Sequence, residues 1–422
     1  MLNRRAMCRV NPDPALQGRR SDPAARQISA PTRPDTSAGV ISGAHFQKLT
    51  DLNTLLAAVK KIRASSGWKN SVQKVTSNAL QFCNKLRNEL ISGSYRPQEG
   101  DTFIINERGH ERLIRALHPA DMVLQHALCD GVLIPALKPY LIHDNGASIK
   151  GKGMAFTQKR LMTHLRRFYR EHGTAGYILQ IDFQKFFDNI PHQKLIDAFD
   201  AKLHDPKIKA LLALLLDQYS QDVSYSDADF DVTPFNSMAD FKVDPALKTG
   251  RRILHRSVGI GAPVSQITGI FYPTPIDTYC KIVRGCKYYA RYMDDIYVIH
   301  ESREFLQDVL SGVKAQAKAL GLFVHPKKTR ITPLSQGFVF LKTRYTLTDT
   351  GKVIRRLCRE TVTRERHKLK TLYRLARQGL ISKPEFYTLY FSWRGDKNRF
   401  NCHKTLNQLD QLFRSYYNAL HD

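Results

Sequence analysis

The sequence lacks paired cysteines and long hydrophobic runs. None of its seven cysteines forms a C-x-x-C pair, which argues against a zinc ribbon or finger and against a disulfide framework. The longest strongly apolar stretch, Ala210 to Leu216, is far shorter than the ~20 residues of a membrane-spanning helix. No secretory hydrophobic region follows the N-terminus. We therefore expect a cytoplasmic protein that has no membrane partner.

Acidic residues are scarce relative to basic ones. The chain of 422 residues has 65 Lys and Arg against 38 Asp and Glu, a formal net charge of +27. Such an excess predicts an extended polyanion such as nucleic acid as the partner, because unbalanced cations repel one another until phosphates neutralise them. Hydrophobic residues make up 42% of the chain, enough to fill a sizeable core, which excludes disorder along the whole length.

Four segments of the chain differ in composition. Residues 1–44 are rich in Pro, Arg, Ser and Ala without apolar periodicity, and we interpret them as a disordered basic arm. Residues 45–174 show mainly helical periodicity. Residues 175–345 contain short strand-like runs, interrupted at 222–244 by a segment with six aspartates, which we expect to be a solvated insertion. Residues 346–422 are predicted to be helical and basic.

Two neighbouring carboxylates form the most informative local feature. The sequence Y-M-D-D at 292–295 lies between two β-rich runs, so Asp294 and Asp295 are predicted at a hairpin turn, where only a cation relieves their repulsion. Asp182 ends another strand-like run and is the natural third carboxylate. Three carboxylates at one sheet edge can hold two Mg²⁺ ions roughly 3.5–4 Å apart, the arrangement for in-line phosphoryl transfer, and Mn²⁺ is a possible substitute.

These motifs resemble those of reverse transcriptases. The 292–295 run is similar to their Y-x-D-D box, and D-F-Q-K-F-F-D-N-I at 182–190 resembles the first palm motif of bacterial members. The resemblance continues in the family's order from about residue 110 to the C-terminus. It implies an α+β right-hand polymerase with fingers at 45–174, a palm at 175–345 whose antiparallel sheet carries the catalytic aspartates, and a helical basic thumb at 346–422. It also implies a metal site composed of Asp182, the Phe183 carbonyl, Asp294 and Asp295.

The resemblance further implies a site for the incoming nucleotide. Phe187 falls where the family's bulky steric gate meets the sugar, which implies dNTPs as substrates because an aromatic ring there clashes with a 2′-hydroxyl. G-I-G-A-P-V-S-Q at 259–266 is similar to the motif that contacts template and dNTP, and a lysine of the 321–329 motif would approach the triphosphate. The residues assigned to dNTP binding are Arg112, Arg115, Lys150, Lys152, Phe187, Gly261, Ser265, Gln266 and Lys328, the last preferred to Lys327.

Two C-terminal features resemble the parts that hold the nucleic acid. G-F-V-F-L-K at 337–342 is similar to the primer-grip hairpin, which assigns Phe340, Leu341 and Lys342 to the primer, and Lys342 replaces the family's usual glycine. That replacement leaves the turn geometry open. The last 72 residues have 16 Lys or Arg against 6 Asp or Glu, a net charge of +10, with interleaved aromatics. This mixture is typical of a thumb that places a basic face on duplex phosphates.

Three functions remain open at this point. The favoured one is an RNA-directed DNA polymerase that copies a partner RNA, a dedicated noncoding RNA, into cDNA for bacterial antiviral defence. The second is the same chemistry in a diversity-generating retroelement. The third is a catalytically silent protein whose polymerase fold only binds RNA, which the intact aspartates disfavour. We find no nuclease-like segment and no retron V-T-G signature. The oligomeric state, the primer and the identity of the template are not indicated.

Overall fold

The computed structural model describes residues 43–107 and 109–420. The predicted arm at 1–44 therefore lies almost wholly outside the described residues. A π-helical turn, Cys129–Leu133, joins the fifth and sixth helices. Within the described part, the α-helices are α1 (Ala44–Thr50), α2 (Leu52–Ser66), α3 (Asn70–Ser77), α4 (Ala79–Ser92), α5 (Pro119–Leu128), α6 (Ile134–Leu137), α7 (Met154–His172), α8 (His192–Leu203), α9 (Pro206–Asp217), α10 (Ser237–Phe241), α11 (Pro263–Phe271), α12 (Thr274–Thr278), α13 (Arg303–Ala319), α14 (Arg359–Arg377), α15 (Lys383–Lys397) and α16 (His403–Asn418).

The strands form antiparallel sheets. A four-stranded sheet has the order β6-β7-β3-β8, and a three-stranded sheet has the order β11-β10-β9. Two further antiparallel pairs, β1 with β2 and β4 with β5, form separate two-stranded sheets. The bounds are β1 (Thr102–Glu107), β2 (His110–Arg115), β3 (Tyr177–Ile181), β4 (Gln221–Asp222), β5 (Ile253–Leu254), β6 (Tyr288–Tyr292), β7 (Asp295–His300), β8 (Arg330–Pro333), β9 (Phe338–Phe340), β10 (Thr343–Leu347) and β11 (Val353–Leu357).

The central strands β3 and β7 contribute to two hydrophobic cores, one on each face of the sheet. Successive side chains of a strand point to opposite faces. The cross-strand pair Leu179 and Val298 lies in the larger core, with the helices that pack on one side. The next pair, Ile178 and Ile299, lies in the core built with α7 and the three-stranded sheet. A shift of the register by one residue would exchange the two faces, so both cores specify the pairing.

The C-terminal helices α14, α15 and α16 pack around a third core that includes Leu369, Phe386 and Phe413. A capping box starts α15, in which Ser382 and Glu385 satisfy each other's backbone N–H groups. The boundary predicted between 345 and 346 falls inside β10, and β11 precedes the first of these helices. β11 is an edge strand that carries basic residues, so its composition did not indicate that strand pairing extends this far along the chain.

The acidic segment 222–244 is solvated only in part, since Asp227, Asp229, Asp231 and Asp244 are exposed whereas other residues pack into the protein. Phe235 is buried, and its backbone N–H donates to Asn189 Oδ1 at 2.8 Å. Asp240 is also buried, where its carboxylate accepts from Tyr225 Oη at 2.9 Å and pairs with Lys248 Nζ at 2.8 Å. Lys248, which pairs with Asp240, lies outside the acidic segment. The composition of residues 222–244 alone therefore could not indicate that Asp240 is buried.

One helical stretch, Pro119–Tyr140, is long and apolar enough to cross a membrane by length and composition, with a mean hydropathy of 1.2. The sequence-based expectation of no such stretch is therefore wrong. However, 61% of that window is buried inside the protein. Val123, Leu124 and Leu128 belong to the larger core, and burial of this kind is typical of the core helix of a globular protein.

We predict that Phe235→Ala lowers the free energy of unfolding by about 3–5 kcal/mol, because the substitution leaves a cavity under the acidic segment. Val232→Ala in the same segment serves as the control. Val232 is 69% exposed, so its truncation should change the free energy by less than about 0.5 kcal/mol. Urea unfolding measures both. Equal, small effects would show that the segment contributes no core.

Candidate active site

The strand register brings the three predicted carboxylates to one end of the four-stranded sheet. β3 and β7 pair antiparallel as far as Ile181 opposite Ile296. Asp182 directly follows β3 and Asp295 begins β7, so the continued register places these two residues side by side. Asp294 lies in the two-residue turn between β6 and β7. The predicted strands and turn are thus confirmed, and the three aspartates are neighbours.

Burial and the crowding of like charges raise the pKa values of two carboxyl groups in this cluster. Burial raises the pKa of Asp294, and the negative charge of Asp182 raises it further. Burial, together with the charges of Asp294 and Asp182, raises the pKa of Asp295 to about 7. The opposing cations include Lys328, whose Nζ lies 3.2 Å from Asp182 Oδ2. The cluster is therefore a place where added positive charge is favourable.

The donor set fits a divalent metal ion in its chemistry. Carboxylate oxygens are the hard ligands that Mg²⁺ prefers, and a bound cation would remove the repulsion that raises the pKa values. Among residues 43–107 and 109–420, no group of three or more His, Cys, Asp or Glu side chains is close enough to hold a metal as it stands.

A cavity of about 600 Å³ opens beside Asp182 and Asp294. Its wall includes Phe187 and three basic residues, Arg112, Lys185 and Lys328. A smaller cavity of about 250 Å³ shares Asp182 and Lys328 and is lined also by Asp295, Lys327, Arg330 and Phe340. Acidic, basic and aromatic groups thus meet in one region, in the combination that a metal-bound nucleoside triphosphate requires.

Phe187 and the acidic turn both pack against α11 at Gly269. The α11 helix passes so closely at Gly269 that an added Cβ would be 2.7 Å from Met293 Sδ and 3.3 Å from Phe187 Cζ. A larger residue at Gly269 would have to displace the Met293 side chain and press on the Phe187 ring. Phe187 is partly buried and packs edge-on against Phe186, with ring centroids 5.1 Å apart.

Several residues assigned to the nucleotide hold the protein together in this structure. The Arg115 guanidinium donates to Gln221 Oε1 at 2.7 Å and to the Gln218 carbonyl at 3.2 Å. Lys152 Nζ donates to the His143 carbonyl at 2.7 Å. Ser265 is buried, and its hydroxyl donates to the Val258 carbonyl at 2.6 Å. These contacts explain the three residues as supports of the surrounding loops.

Three other assigned residues are placed near the cavity wall or at the surface. Gly261 has a φ of 112° and follows Ile260, which lines the larger cavity. Lys150 and Gln266 are exposed. None of these three, nor Arg115, Lys152 or Ser265, is among the residues that line the two cavities in the described part of the chain. Their contact with dNTP stays a prediction.

β9 and β10 form a hairpin where the sequence resembles a primer grip; its contact with a primer stays a prediction. Phe340 pairs with Thr343, so the connection has two residues. Both Leu341 (φ 44°) and Lys342 (φ 60°) adopt the left-handed conformation, which two-residue hairpin turns require. Lys342 therefore adopts the turn conformation that a glycine would favour. Its positive charge lowers the pKa of Asp295, but burial and the charges of Asp294 and Asp182 raise that pKa by more.

Sequence reasoning missed a buried ion pair beneath the acidic turn. Arg291 and Asp277 are both fully buried, and the Arg291 Nη2 atom lies 2.6 Å from Asp277 Oδ2. A signal was present, because Arg291 is the one charged residue of the apolar strand Tyr288–Tyr292. A charge in such a strand requires a buried partner, but the sequence does not indicate which carboxylate supplies it.

Comparison with known families gives one match. Residues 131–344, about half of the chain, match a family model described as reverse transcriptase (RNA-dependent DNA polymerase). The matched range contains the three aspartates, Phe187 and the hairpin turn at 341–342. It does not include Arg112, Arg115 or the C-terminal helices. A comparison with curated proteins finds no match.

We predict that Phe187→Val admits ribonucleotides, because removal of the ring opens space beside the sugar. The ratio of kcat/KM for dNTP over NTP should fall by about tenfold or more, equivalent to ~1.4 kcal/mol. Single-nucleotide incorporation measures the ratio. Phe199→Val, which truncates a buried ring away from the cavity, should leave the ratio unchanged. An unaltered ratio in Phe187→Val would remove Phe187 as the gate.

Proposed function

Because the chain belongs to the reverse transcriptase family, we propose that Asp182, Asp294 and Asp295 are its catalytic carboxylates. The protein is a nucleotidyltransferase, an RNA-directed DNA polymerase with a palm-type fold, which takes an RNA template and dNTPs and makes DNA. One observation carries the proposal of the site. The antiparallel register of β3 with β7 ends at Ile181 and Ile296 and so places the aspartates together at the cavity.

The side chains around the cavity have complementary tasks in this proposal. Enzymes of this family generally use divalent metal ions, usually Mg²⁺, which supply activation of the attacking hydroxyl and neutralisation of the leaving pyrophosphate. The three aspartates, with the Phe183 carbonyl, would hold them. Lys328 and Arg112 place positive charge on the cavity wall, where they would attract and orient the triphosphate. Phe187 would restrict the sugar.

The nucleic acid would follow the basic part of the chain. The turn at Leu341–Lys342 lies near Asp295 and would hold the primer end there. The C-terminal helices carry the +10 excess of the last 72 residues, and their aromatic residues largely pack together, as Phe386 does with Phe413. Arg364, Arg366 and Lys370 of α14 are exposed and suit contact with duplex phosphates.

For the biological role, we propose that the enzyme copies a dedicated noncoding RNA into cDNA in bacterial antiviral defence, in the cytoplasm. Two departures from the diversity-generating pattern support this role, namely the Leu341–Lys342 turn and the packed acidic segment 222–244. The second candidate is a diversity-generating retroelement enzyme, because the S-Q form of the motif at 259–266 is common to both groups of enzymes. Both roles use the same chemistry.

The carboxylate assignment is tested by the double substitution Asp294→Ala and Asp295→Ala. Primer extension on an RNA template with Mg²⁺ and dNTPs should fall by about 10³-fold or more, or ~4 kcal/mol, because the metal ligands are lost. The matched control is Asp197→Ala with Asp200→Ala, which removes two carboxylates of α8. It should keep the activity of the parent. Incorporation that survives the first double substitution contradicts the assignment.

The role is tested by sequencing RNA crosslinked to the protein purified from its own host. A defence enzyme should carry one discrete noncoding RNA, and cells that express the parent should resist phage while cells with the double alanine variant should not. A diversity-generating enzyme should instead carry RNA that repeats part of a neighbouring gene. Recovery of that repeat, without phage resistance, would replace the first role by the second.

A further inference from the structure

We propose that Arg291 is a positioning residue, which fixes the Met293–Asp294 turn so that Asp294 and the adjoining Asp295 can bind metal. The proposal rests on the metal site proposed above and concerns the buried ion pair beneath it. Arg291 precedes the turn by two residues and lies in β6, whereas Asp277 lies in α12. Both side chains are wholly inaccessible to solvent. Neither can touch a substrate, so any effect must pass through their neighbours.

Asp277 holds the Arg291 guanidinium in a single orientation. Arg291 Nε donates to Asp277 Oδ1 at 2.8 Å and Nη2 donates to Oδ2 at 2.6 Å. This two-point contact fixes the plane of the guanidinium. The Tyr289 hydroxyl donates to Asp277 Oδ1 as well, at 2.5 Å. The carboxylate is thereby held by Tyr289 and Arg291, which are two residues apart in β6 and so share one face of the strand.

The remaining donors of Arg291 reach the turn and the neighbouring helix. Nη1 donates to the Met293 carbonyl at 3.1 Å and to the Gly269 carbonyl at 3.0 Å. Nη2 donates to the Ile270 carbonyl at 2.8 Å. Gly269 and Ile270 lie in the last turn of α11, whose carbonyls have no partner within the helix. One side chain therefore joins the acidic turn to the end of α11.

The turn needs such an anchor. Met293 has a φ of 55°, a left-handed conformation that a residue with a side chain adopts at a cost. The next two residues carry carboxylates that repel each other and Asp182. Without metal, both effects favour opening of the turn. The hydrogen bond from Arg291 to the Met293 carbonyl opposes that opening from beneath, on the side that solvent does not reach.

A purely stabilising role does not explain the arrangement. A buried ion pair contributes little net stability, and an apolar pair of similar volume often serves as well. What an apolar pair lacks is a donor for the Met293 carbonyl. Lysine would keep the charge at this position, but a single ammonium group cannot reproduce the planar fork that contacts Asp277 and three carbonyls together. Arg291→Lys therefore separates charge from geometry.

The experiment compares Arg291→Lys with the parent and with Leu215→Ala. Leu215 is buried in α9, and its truncation gives a variant that is destabilised away from the site. We expect kcat to fall by about tenfold or more in Arg291→Lys and the Mg²⁺ concentration for half-maximal rate to rise several-fold, with KM for dNTP within about twofold. Leu215→Ala should keep all three values.

A second readout does not involve activity. Hydrogen–deuterium exchange of the metal-free protein should be about tenfold faster at residues 292–295 in Arg291→Lys than in the parent, because the turn opens more often. Leu215→Ala should leave exchange at the turn unchanged. The proposal is overturned if the hydrogen exchange rate of the turn and the Mg²⁺ concentration for half-maximal rate are the same in Arg291→Lys as in Leu215→Ala.

Asp277→Asn covers the case in which Arg291→Lys does not fold. It retains Arg291 and an oxygen acceptor but loses the charge that orients the guanidinium, so faster exchange at the turn and a higher Mg²⁺ requirement are expected. Loss of thermal stability with neither change would overturn the proposal. The exchange measurement is independent of the metal assignment. Should the double alanine variant of the turn stay active, that assignment would fail while the anchoring of the turn could still be measured.

Discussion

The pairing of β3 with β7 is the interaction on which the site depends. Asp182 and Asp295 are more than a hundred residues apart in the chain, and no covalent link joins their strands. Their proximity follows from a backbone ladder that ends at Ile181 and Ile296. Because alternate residues of both strands fill different cores, burial of apolar side chains sets the register. The carboxylates receive their positions from that packing.

Charge compensation around the aspartates occurs at three depths. At the surface, Lys328 lies against Asp182 and partly neutralises it. At the level of the turn, Asp294 and Asp295 have raised pKa values because burial and mutual repulsion disfavour their charged forms. Beneath the turn, the charge of Arg291 is already taken by Asp277. The negative charge of the three aspartates is therefore only partly compensated, even in a chain with a net charge of +27, which suits a site for metal ions.

Much of the site could be predicted from local sequence motifs, whereas the contacts between distant segments could not. The apolar run before Asp182 and the runs around 292–295 specify their strands, because buried strands have a recognisable period and length. No such signal links Arg115 to Gln221 or Phe235 to Asn189. Those contacts depend on how loops fold over the sheet. The acidic composition of 222–244 was misleading for the same reason, since Lys248 and Arg256 supply its cations from outside.

The two-sided packing of β3 also limits how the gene can change. A codon gained or lost between Tyr177 and Ile181 would turn the following side chains to the opposite faces, so Ile178 and Leu179 would exchange cores and Asp182 would leave the cavity. Substitutions that keep volume could accumulate in the same strand without that effect. Descendants of this chain should therefore vary in length in the loops and at the termini, while the spacing from Tyr177 to Asp182 stays constant.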